Sequence, residues 1–268
     1  MIVINQLVNS FKYIEILNPL IWVDDTINDN DMEILKHEAY DNSTFDKLKL
    51  KQTVFENHTT KTVKKTDNAR VVILGTSEQV FPWATWGRIF QAMGKPINSV
   101  YWQIYIYASD QKRELPDVGL VGAEHINGGY TYPCDSKAIV IYRYEEVTRV
   151  LIHELLHASC TDNMNLSVEL REAATEAWAE LFLIALLAKG SSQKAKQLWA
   201  IQEKYILDLH YTLKHFYNVN SSNDYAARYT IMRIPVFEDY NIILSKTYKP
   251  QKISICRFTS PDLDKYLI

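Results

Sequence analysis

Near Tyr144 the hydrophobic pattern of this chain changes from strict alternation to the spacing of a helix. Upstream, Val100, Trp102, Ile104 and Ile106 alternate with Tyr101, Gln103, Tyr105 and Tyr107, so residues 99–109 read as a strand. Residues 71–75 and 138–142 are short apolar runs of the buried-strand kind, and 119–123 reads as one more short strand. Residues 86–93 predict a short helix closed by Gly94 and Pro96, and Gly128-Gly129 marks a turn. The polar stretch 57–67, with Lys61, Lys64 and Lys65, reads as an exposed loop. Downstream, a helix runs to about Ser159, and a second starts at Ser167 as N-cap and stops at Lys189-Gly190. Further helices follow over 193–217 and 224–234, the latter ended by Pro235. Strands before the mid-point and helices after it predict an α+β fold, with a mixed sheet in the N-terminal half. Residues 1–95 read as an N-terminal accessory segment and 96–268 as the main domain.

With 47% hydrophobic residues and a net charge of only -3, the 268-residue chain buries a core and is not disordered. The slight acidity argues against nucleic acid as a partner. The start is interrupted by Asn5, Asn9, Lys12 and Glu15, unlike a signal peptide. The most apolar run, 181–188, is too short to span a membrane. Cys134, Cys160 and Cys256 are an odd, sparse set, so no disulfide framework is expected and an intracellular, cytoplasmic setting is favoured.

The chemistry lies in His153-Glu154-Leu155-Leu156-His157. On a helix, residues four apart project from one face, so both imidazoles can hold one metal ion. Glu154, between them in sequence, can reach a water at that ion without binding the ion itself. A catalytic zinc site takes three protein ligands, and Glu172, Glu176 and Glu180 recur every four residues downstream. Such a stripe is usually a solvated acidic face. Here the same helix carries Ala174, Trp178, Leu183, Ile184, Ala185 and Leu187 around its circumference, which predicts burial. Buried carboxylates need a partner, and a metal with its histidines supplies one.

The segment from His153 to Glu180 resembles the gluzincin branch of zinc metallopeptidases: His153-Glu154-x-x-His157, eighteen residues, then Glu176-Ala-Trp-Ala. The resemblance implies a zincin-like fold, one Zn²⁺ per chain on His153, His157 and Glu176, and Glu154 as general base. It also implies that Glu180 orients His153. A competing register makes Glu172 the ligand and Glu176 its support. Gluzincins stabilise the oxyanion with a Tyr or His from a later helix, which makes Tyr229 the first candidate and Tyr225 the second. Arg228 and Arg233 are candidates for binding a substrate carboxylate, or for structural salt bridges. His210 and His215 read as surface or packing residues. By the same likeness, a peptide or protein substrate lies along an edge strand, for which residues 119–129 with His125 are the candidate. Gly122-Ala123-Glu124 departs from the aminopeptidase pattern that it faintly echoes, leaving endopeptidase and carboxypeptidase action. The rival reading is a catalytically degenerate zinc-binding module for protein interaction, which would have no need of Glu154.

Overall fold

The computed structural model describes residues 2–42, 44–220, 225–242 and 244–267. Two units are distinguished, neither continuous in sequence: Pro19–Lys112 with Asn127–Thr161, and Met1–Asn18 with Arg113–Ile126 and Asp162–Ile268. The expected boundary at 95/96 falls inside the first of these.

That unit is built on one mixed sheet. Strands β1 (Val23–Asp24), β2 (Thr60–Lys65), β3 (Ala69–Gly75), β4 (Trp102–Tyr107), β5 (Gly129–Tyr130) and β6 (Ile139–Ile141) take the order β1-β2-β3-β4-β6-β5. β3, β4 and β6 run parallel, while β1, β2 and β5 pair antiparallel with their neighbours. Every residue of β4 is buried, on both faces. Its tyrosines therefore need internal partners. The Tyr107 hydroxyl donates to the Leu35 carbonyl at 2.6 Å and that of Tyr105 to Asp31 at 3.3 Å, both on helix α2 (Asp29–Tyr40). Asp31 in turn accepts two hydrogen bonds from buried Arg70, each 2.7 Å.

Two local expectations fail. Residues 60–65 are not loop but the whole of β2, paired from Thr60↔Gly75 to Lys65↔Arg70. Only Val63 of that strand is buried, so a single apolar side chain carries a period that the lysines mask. Residues 119–123 are not a strand, and a one-turn helix α5 (Ala123–Ile126) follows instead. The predicted helix at 86–93 is present as α4 (Trp83–Met93), closed at Gly94 with φ 69°. Helix α3 (Leu50–Asn57) packs on β3 and β4. The helix after the change of period is α6 (Val147–Ala158), packed against β5, β6 and α4. Cys134 and Cys160, expected to be unpaired, form a disulfide, and the buried Cys256 thiol donates to the His125 carbonyl at 3.0 Å. A disulfide is the mark of an oxidising environment or a redox-active pair, so it does not support the expected reducing setting.

The other unit is helical: α1 (Ile2–Ile16), α5, α7 (Val168–Leu187), α8 (Ser192–Phe216), α9 (Tyr225–Asp239) and a 3₁₀ turn (Pro261–Tyr266). Ser167 caps α7 as expected, its hydroxyl accepting from the Leu170 amide. α7 packs on α1, α8 and α9. The predicted start of α9 at Asp224 lies outside the described residues. Its predicted stop at Pro235 is overturned, because the helix continues to Asp239. Pro235 has no N–H to give the Ile231 carbonyl four residues back. Among the described residues no helix is long and apolar enough to cross a membrane.

Candidate metal centre

Helix α6 is buried at every position except Leu156. Val150, Leu151, Ile152 and Leu155 supply its apolar surface, and the Trp86 indole of α4 donates to the Thr148 hydroxyl at 2.9 Å. His153, Glu154 and His157 are thus carried into the interior, at 7%, 4% and 6% exposure. The two imidazoles meet edge to face, at 81°, with their Nε2 atoms 3.1 Å apart. Two nitrogens bound tetrahedrally at about 2.0–2.1 Å lie roughly 3.3–3.4 Å from one another. The pair therefore fits a single small cation with little adjustment, and the donor set suits zinc.

Glu154 faces the sheet edge. A β-carbon at Gly129, on edge strand β5, would stand 3.3 Å from Glu154 Oε1 and 2.9 Å from the Val140 carbonyl oxygen. Only a residue without a side chain lets the edge strand approach α6 so closely. Gly129 of the predicted Gly128-Gly129 turn opens β5 instead, and such a packing demand on a glycine leaves no periodic signal in the sequence.

On α7, Glu176 and Glu180 are buried, at 3% and 1% exposure, and Glu172 is half-buried. The acidic stripe is accordingly not a solvated face. Glu180 forms an ion pair with Arg233 of α9, itself 1% exposed, whose Nε donates to the Thr230 carbonyl at 2.9 Å. The imidazole pair belongs to α6 of the sheet-based unit, whereas Glu172 and Glu176, the two candidates for a third ligand, belong to α7 of the helical unit.

No family model matches the chain, and no curated protein or solved structure matches it.

Arg228 is ion-paired with Glu169, so, like Arg233, it already holds a carboxylate of its own chain. Tyr229 is buried and stacks on Phe258, ring planes 6° apart. Tyr225, 39% exposed, meets Tyr229 edge to face. Burial, then the carboxylates of Glu172 and Glu169, push the Tyr225 hydroxyl up to about 12, keeping it a donor at neutral pH. His125 sits in α5 and its Nδ1 accepts from the Gly122 amide at 3.0 Å, so in the neutral ring the proton is on Nε2.

Proposed function

We propose that this protein is a zinc-dependent metallopeptidase on a zincin-like fold. The observation that carries this reading is the arrangement on α6: two buried imidazoles with Nε2 atoms 3.1 Å apart, and a buried carboxylate between them in sequence, beside a sheet edge. His153 and His157 are the nitrogen ligands, and an α7 carboxylate is the third. The eighteen-residue spacing favours Glu176, and Glu172 is the alternative.

When bound, zinc supplies a Lewis acid for the scissile carbonyl and for the attacking water. Glu154 takes the proton from that water at its carboxylate and hands it to the leaving amine. Its burial keeps bulk water from competing for the carboxylate. The outer edge of β5 receives an extended peptide by strand addition. An α9 hydroxyl, from Tyr229 or Tyr225, donates a hydrogen bond to the developing oxyanion. With Arg228 and Arg233 both paired to carboxylates, neither closes the cleft on a substrate C-terminus, which favours endopeptidase action.

Digestion of a peptide library with wild type and Glu154→Gln tests this directly. The wild type is expected to bind one zinc per chain and cleave. The variant is expected to keep the zinc and lose cleavage by at least about 100-fold. Zinc bound without any cleavage by wild type would replace the peptidase with an interaction module. No zinc bound would dismiss both.

A further inference from the structure

We infer that the Cys134–Cys160 disulfide is a thiol-exchange site through which redox state controls the end of helix α6 that carries His157. The first observation is covalent. The bond links residues 26 apart in sequence, and the segment it encloses is β6 followed by the whole of α6. The second is a shared acceptor. The Cys134 amide donates to the His157 carbonyl at 3.0 Å and the Cys160 amide to the same oxygen at 3.2 Å. Both halves of the cross-link therefore grip the backbone of one candidate metal ligand.

The third is conformational. Cys134 and Cys160 have φ of 64° and 59°, the left-handed region that residues with a β-carbon seldom occupy. Such geometry persists where the surroundings enforce it, and here the cross-link fixes both residues. The fourth is access. Both cysteines are exposed, and they line a cleft of about 150 Å³ together with Met93, Lys95, Trp102 and Ser159. A small thiolate can enter it, and Lys95 lends the wall a positive charge that favours an anionic nucleophile.

The reagent class is a dithiol. Its thiolate attacks one sulfur of the bond, giving a mixed disulfide and releasing the other cysteine as thiolate, which takes up a proton. Its second thiol then displaces the remaining cysteine. The protein disulfide gains two electrons and two protons, and the dithiol becomes a disulfide. With the link open, Cys134 and Cys160 relax from their left-handed conformations. The two amide bonds to His157 loosen and the last turn of α6 frays. The consequence for the ion rests on the zinc-site reading, whereas the consequence for the helix does not.

The test compares oxidised protein, protein reduced with dithiothreitol and freed of reagent under argon, and the Cys134→Ser/Cys160→Ser variant. Alkylation of the unreduced, folded chain is expected to modify neither Cys134 nor Cys160, and the reduced chain should take up label at both. Hydrogen exchange at the 157–160 amides is expected to quicken by about tenfold or more in the reduced and variant forms. Zinc affinity, measured by chelator competition, is expected to fall by roughly tenfold, the size seen when support of a ligand is lost. Equal exchange in all three forms would overturn the proposal, as would ready alkylation of both cysteines without reductant. Faster exchange with equal zinc affinity would overturn the link to the ion. If no form binds zinc, the metal reading fails, and the exchange rates alone decide whether the clamp stands.

Discussion

A β-carbon on Gly129 would lie 3.3 Å from the carboxylate oxygen of Glu154, so the edge strand and the proposed base touch at a residue without a side chain. The same β-carbon would meet the Val150 Cγ1 at 2.7 Å and the Val140 carbonyl oxygen at 2.9 Å. The Val140 oxygen is backbone of β6 and cannot rotate away, so β5 would have to shift against β6 and away from Val150 of α6. Gly129→Ala is expected to cost about 1–3 kcal/mol in urea unfolding. It should also depress peptide cleavage beyond that loss, because the displaced strand no longer meets Glu154. A variant with wild-type stability and rate would show that this approach is not needed.

The third ligand is decided by zinc affinity in two single variants. Glu176→Gln is expected to weaken binding by more than about 100-fold, and Glu172→Gln by about tenfold or less, as for a partner outside the ligand set. The reverse order assigns the ligand to Glu172. Small, equal losses would remove α7 from the site.

Arg233 and Glu180 are each 1% exposed, so breaking the pair strands a buried charge. Glu180→Leu alone is expected to cost about 3–5 kcal/mol of stability, and Arg233→Met alone a similar amount. The double variant should recover most of either loss, because two apolar side chains replace two desolvated ions. Additive losses in chemical denaturation would contradict this account of the pair.

Burial pulls the His210 imidazole down from 6.5 to about 4, with Lys214 nearby acting in the same direction. Between those values the unfolded chain binds the proton more readily than the folded one. His210 therefore makes stability fall as pH drops from 6.5 towards 4, and contributes nothing to the slope above that window. His210→Gln is expected to flatten this part of the stability profile, as followed by urea midpoints across the range. An unchanged slope would mean that His210 does not couple to unfolding.

What the sequence determined by itself was local or periodic. The spacing of His153 and His157 placed two imidazoles on one helical face, and the apolar circumference of α7 told that Glu176 and Glu180 are buried. The order of strands and helices gave the α+β class, and Ser167 and Gly94 marked helix ends through their own backbone chemistry. Tertiary structure alone decided the rest, each time because the deciding partner is remote in the chain. β2 is a strand because β3 offers it hydrogen bonds, although its lysines hide the alternation. α9 runs on through Pro235 while packed against α7 and α8, although the proline removes one of its own hydrogen bonds. Cys134 pairs with Cys160 because β6 and α6 fold back and bring their ends together. Spacing along a chain fixes which side chains share a face; only packing fixes what that face meets.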